Sequence, residues 1–308
     1  PQIMQQGIVY GLTGESARGN AHTRYHHKPE PLFLNKTKFK SDVSGLKKAQ
    51  LRQAILETAM EMTSKFTIGM EVEKNQLHRG AVREYEIFCG FEEDGSCGYE
   101  AVTHILPLLP SGVWRTKVYD MMHKAERIID DRYSPSDRRC GGHITIAVEG
   151  LNGVQLNRAV RKNCGIVLSL FKKRLNSKYC GSNRRMQDTS DSRFNSWSGA
   201  NEYGMHSCHY KYQTALVKGK LVEFRVPSRF QSVKQMMRRY ELFYEIVNFS
   251  INKPNGSHDS LLKILKPIVL SMYNGDVDKT EEVIALSKHF RKFIMNGEIH
   301  QDIATYLV

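Results

Sequence analysis

Acid is in short supply in this sequence, with 32 Asp and Glu against 45 Lys and Arg over 308 residues. The resulting formal charge of +13 concentrates anions around the protein. Nucleotides, nucleic acid and acidic substrates therefore stay in view. No apolar run approaches the roughly 20 residues a bilayer span needs, so no membrane association is expected. The N-terminus lacks the basic-then-apolar plan of a signal peptide, which makes a cytoplasmic location the expectation. Cys89, Cys97, Cys140, Cys164, Cys180 and Cys208 are scattered, without a Cys-x-x-Cys pair. That spacing suits reduced thiols, and it leaves His206-Ser207-Cys208-His209 without partners at zinc-site spacing. The segment Gly11-Leu12-Thr13-Gly14-Glu15-Ser16 has neither the Gly-Lys-Ser/Thr ending of a phosphate loop nor an apolar strand before it. There is no internal repeat, no low-complexity tract and no aromatic-plus-basic motif of a nucleic-acid module.

What is present has the composition of an ordinary globular chain, 40% hydrophobic and 25% charged. Residues 1–43 are polar, basic and broken by Gly and Pro, as an irregular arm would be. The apolar spacing predicts a helix over 44–63, then an alternating strand from Phe66. Strands are also expected over 81–89, 100–105 and 143–148, with helices over 114–131 and 153–174. Residues 176–203 are rich in Ser, Asn, Asp, Gly and Arg and predict a long loop. A hairpin is expected around Lys218-Gly219-Lys220, joining strands 210–217 and 221–226. Three helices follow, at about 231–250, 258–273 and 279–296. Strands in the middle and helices at the end predict an α+β fold with a mainly antiparallel sheet.

Chemistry concentrates on those strands. Glu71 and Glu73 lie two apart, so both point to one face while Ile68, Met70 and Val72 point to the core. Paired carboxylates repel unless a cation sits between them, and magnesium is the hard, oxygen-seeking choice. Glu100, after the turn residues Asp94-Gly95-Ser96, would add a third acid. His143 follows Gly141-Gly142, where the missing side chains let a ligand come close to the backbone. Glu223 and Arg225 share the outward face of their strand. An ion pair is one reading; in a phosphate site the acid would hold metal and the guanidinium would fork onto phosphoryl oxygens.

Taken in order, Gly69-Met70-Glu71-Val72-Glu73, Asp94 to Thr103, Gly141-Gly142-His143 and Glu223-Phe224-Arg225 resemble the amidoligases of the glutamine synthetase-like carboxylate–amine ligase superfamily. The likeness runs over residues 66–250. One departure is Thr145, which stands where the family's Gly-Gly-His-x-His carries its second His. The resemblance implies the glutamine synthetase-like catalytic fold over 44–250, outside which lie the arm at 1–43 and a C-terminal helical extension at 251–308. It also implies an ATP- and Mg2+-dependent ligase that joins a small-molecule acid to an amine through an acyl phosphate. Glu71, Glu73, Glu100 and Glu223 would then be metal ligands. Arg225 would contact phosphate, His143 would face metal or substrate, and Arg184 and Arg185 would contact the nucleotide or the acid. Relatives of this kind assemble into rings or dimers, so a homo-oligomer is expected. The alternative is a ligase fold that has lost the reaction and serves as a structural or nucleic-acid-binding component. The basic charge also admits a ligase acting on nucleic acid or protein.

Overall fold

The computed structural model describes residues 65–133, 139–176, 185–186, 199–200 and 214–296. The arm, the helix expected over 44–63 and the His206–His209 segment lie outside them. Strand β1 (Phe66–Lys74) is central, flanked by β3 (Gly98–Thr103) and β5 (Ile144–Val148). Outward from β3 lies β2 (Phe88–Asp94), and outward from β5 lie β9 (Leu221–Phe224) and β8 (Ala215–Lys218). With the short β4 (Leu106–Pro107) pairing β1, this makes a seven-stranded sheet in which every pairing is antiparallel. A separate ribbon joins β6 (Arg185–Met186) to β7 (Gly199–Ala200).

Strand β1 changes partner midway, from β3 at Glu71–Lys74 to β4 at Thr67–Ile68. At the junction Thr103 Oγ1 accepts from the Met70 N–H at 2.9 Å and donates to the His104 carbonyl at 2.9 Å. The Met70 N–H thus has a partner where β1 changes neighbours. Every residue of β1 is buried, so both faces of the sheet are covered there. The expected alternation is real, yet its polar half does not face water.

Ile68, Met70, Val72, Ile144, Ile146, Val222 and Phe224 point to one apolar core, packed by helices. The helices are α1 (Arg79–Arg83), α2 (Val113–Lys124), α3 (Glu126–Ile129), α4 (Gly153–Val160), α5 (Gly165–Leu170), α6 (Val233–Asn252), α7 (His258–Met272) and α8 (Val277–Asn296). Side-chain oxygens cap four of them: Asn152 in a reciprocal pair with Gln155 for α4, Ser232 for α6, Ser257 for α7, and Asp276, which accepts from the Lys279 N–H at 3.0 Å, for α8. The last two helices share the same core through Leu261, Leu265, Val269, Val283 and Phe290. Among the described residues no helix is long and apolar enough to cross a membrane.

Several expected elements differ: the helix over 114–131 is interrupted at Ala125, between α2 and α3, and the loop over 176–203 holds the paired β6 and β7 among its described residues. Within 81–89, a short helix runs to Arg83 and the Tyr85 and Phe88 N–H groups make turn bonds, so the strand begins only at Phe88. Val82, Ile87 and Phe88 still reach the core, which is why their apolar run resembled a strand. The helix expected over 153–174 is broken into α4 and α5. At the break Gly165 lies so close to α8 that a Cβ would sit 2.2 Å from the Ser287 carbonyl oxygen. The absent side chain permits that backbone-to-backbone approach.

Candidate functional site

The face of the sheet opposite the core carries the acids. Glu71 and Glu73 come from β1, and Glu100 lies directly across from Glu73 on β3. Glu223 on β9 lies across from Thr145, which in turn lies across from Gly69. Pairing of these strands thus turns three separate sequence segments into one surface. Glu71, Glu73, Glu100, His143 and Glu223 are all buried, at 0–6% exposure, which means their charges must be met within the protein.

His143 provides part of the answer. Its Nδ1 donates to Glu71 Oε2 at 2.6 Å, and its Nε2 lies 3.4 Å from Glu73 Oε1. The backbone helps too: the Glu71 N–H donates to the His143 carbonyl at 3.0 Å, and the Gly141 N–H donates to Glu73 Oε2 at 2.5 Å. On the other flank Arg225 Nη1 donates to Glu223 Oε1 at 2.5 Å, while Lys218 Nζ donates to Glu223 Oε2. The Gly141-Gly142 pair admits close neighbours from within the protein. A Cβ on Gly141 would lie 2.8 Å from Arg174 Nη2 and 3.2 Å from His143 Nε2. One on Gly142 would lie 2.3 Å from the Ser228 carbonyl oxygen and 3.0 Å from Arg239 Nη1. At 142 the neighbour is backbone, so glycine is required there, whereas at 141 a Cβ would displace the Arg174 guanidinium.

The electrostatics carry the mark of crowded acid. Burial, then the charges of Glu71, Glu73, Glu92 and Asp94, push the Glu100 carboxyl well above the ordinary glutamate value. Burial pulls the Arg225 guanidinium down, but Glu223, Glu71 and the hydrogen bond to Glu223 outweigh it and hold it above its usual value. Burial, aided by Glu73, pushes the Cys140 thiol up to about 11, so this cysteine is a protonated neighbour and not a nucleophile.

Two donor sets fit a cation. Ligand atoms of Glu71, His143 and Glu223 lie within 4.8 Å of one another, and so do those of Glu71, Glu73 and Glu100. Glu71 belongs to both. Carboxylate oxygens with a single imidazole suit a hard divalent ion such as Mg2+ or Mn2+, and the sets contain no thiolate that would favour a soft one.

Of the residues singled out in the sequence, the sheet brings together Glu71, Glu73, Glu100, His143, Glu223 and Arg225. Arg184 lies outside the described residues, and Arg185 is described only as a backbone position on β6. Lys218 and Arg174 are missed by sequence reasoning. Lys218 reads as part of a turn, although its register opposite Leu221 places it on the acid-bearing face. Arg174, 5% exposed, sits beyond the break in the expected helix, and no spacing signal points to it. Compared with models of known protein families and with curated proteins, the chain matches neither.

Proposed function

We propose that this protein is an ATP- and Mg2+-dependent carboxylate–amine ligase on a glutamine synthetase-like fold. A carboxylate oxygen of the acid substrate attacks the γ-phosphorus of ATP and releases ADP. The nitrogen of an amine then attacks the acyl carbon, the phosphate departs with the C–O bonding pair and takes up the proton that the nitrogen gives up, and an amide remains. The observation that carries this reading is the pair of adjoining donor sets sharing Glu71, with the Arg225 guanidinium alongside. Such an arrangement brings hard cations and a planar hydrogen-bond fork to one place, as phosphoryl transfer needs.

Glu71, Glu223 and His143 would hold one ion, and Glu71, Glu73 and Glu100 another. Bound Mg2+ supplies charge neutralisation between the polyphosphate and an approaching carboxylate. The chain's own residues do the rest. Glu71 fixes the His143 ring by taking its Nδ1 proton in a hydrogen bond, and the Gly141 N–H holds the Glu73 carboxylate in place. Arg225 is aligned by Glu223 and keeps its charge throughout, ready to stabilise the transferring phosphoryl oxygens. Burial of Glu71 and Glu223 excludes water, which strengthens each of these interactions and shields an acyl phosphate from hydrolysis. Release of ADP, dependent on an acid and an amine, tests the proposal in the wild type and in Glu223→Gln. The variant should lose turnover; full turnover in it would sink the assignment.

A further inference from the structure

Glu223 has a protein cation on each carboxylate oxygen. Arg225 Nη1 lies 2.5 Å from Oε1, and Lys218 Nζ bonds Oε2. The same carboxylate is a donor of the Glu71–His143–Glu223 set. A divalent ion entering there meets like charge, so one of the two protein cations must give way. They differ in their freedom to do so. Arg225 is tied down, with its side chain 13% exposed, its backbone N–H bonded to the Thr214 carbonyl and its charge also facing Glu71 and Glu73. Lys218 ends β8 beside a turn, with its side chain 26% exposed on a flexible four-carbon stem. The turn backbone is itself held, since the Gly153 N–H donates to the Gly219 carbonyl at 2.8 Å. Only the Lys218 side chain needs to move.

We propose that Lys218 is an internal counter-cation that competes with the divalent metal for Glu223 and so sets how readily the site loads. The proposal rests on the metal-binding part of the reading above. Without an ion, the ammonium keeps a buried carboxylate paired, which avoids the cost of an unmet charge. When an ion binds, the ammonium swings toward solvent and the carboxylate changes partner. Lys220, two residues on and exposed in the same turn, carries the same charge with no such contact shown.

Calorimetry with Mn2+ alone, without nucleotide, tests this on the full chain in wild type, Lys218→Met, Lys218→Gln and Lys220→Met. Losing the competing charge-assisted bond should tighten Mn2+ binding by roughly tenfold or more in either Lys218 variant. Lys220→Met corrects for the general loss of one positive charge and should change binding little. Two Lys218 variants guard against one that folds poorly. Binding by the Lys218 variants no tighter than by Lys220→Met would overturn the proposal, and so would no Mn2+ binding in any protein. The readout is independent of turnover. A protein that showed the Mn2+ pattern yet released no ADP would contradict the ligase reading alone.

Discussion

Lys74 is a buried cation whose removal reports directly on how β1 is anchored. It follows Glu73 but points to the opposite face, where its exposure is 0%. The ammonium donates to the Ile129 carbonyl at 3.1 Å, the Asp130 carbonyl at 2.5 Å and the Phe230 carbonyl at 3.1 Å. It therefore ties the acid-bearing end of β1 to the end of α3 and to the segment before α6. Burial lowers its pKa from 10.5 to about 8, partly opposed by Asp131 and Asp130. Between these values the unfolded chain binds more protons than the native protein, so stability rises with pH. Below the lower value both states are protonated and the full penalty applies. The whole fall is equivalent to about 3 kcal/mol, at about 1.36 kcal/mol per pH unit.

Urea unfolding of wild type and Lys74→Met at matched pH isolates this group from other lysines and tyrosines. The wild-type stability relative to the variant should be level from pH 6 to 7 and climb by about 3 kcal/mol by pH 10.5. At neutral pH the sign of the difference is set by two opposing effects: three carbonyls lose their donor, and a buried charge is removed. The slope is thus the decisive quantity. A difference that stays flat or falls with pH would refute the reasoning.

Further predictions follow from the same geometry. Gly142→Ala drives a Cβ to 2.3 Å from the Ser228 carbonyl oxygen, and should cost about 1–3 kcal/mol and lower the melting temperature by several degrees; an unchanged melting curve would contradict this close contact. Glu100 has its native pKa raised above the ordinary glutamate value. Its contribution to stability is therefore present at acid pH and lost as pH rises through the native pKa. In chelator, unfolding stability should decline from about pH 4.5 upward, less steeply in Glu100→Gln, and Mg2+ should flatten the wild-type decline. Equal slopes for the two proteins in chelator would count against this explanation.

The parts of the site legible in the sequence obeyed the strand period of two. Glu71 with Glu73, and Glu223 with Arg225, announce a shared face because apolar residues alternate between them. Glu100 and His143 are visible as residue types in telling positions, but their meeting with Glu71 depends on pairing between strands far apart in sequence. Periodicity carries no register. Lys218 was hidden for that reason, since only the β8–β9 register puts it on the acid face. Arg174 was hidden because a glycine gap at 141 admits it, and what a glycine admits is decided by tertiary packing. Likewise the close approach of Gly165 to α8 is a tertiary contact that no local pattern encodes. The fold class was accessible from element order, while the burial of the polar face was not, because a lined site and a solvated face have the same alternation.

The central claim is that the shared carboxylate Glu71 organises a metal–nucleotide site. Its most direct test is calorimetric titration of Mg·ATP into the wild type and Glu71→Gln, a change that removes a ligand from both donor sets at once. Binding by the wild type that is lost in the variant is the predicted result. Equal binding by both proteins, or none by either, would contradict it.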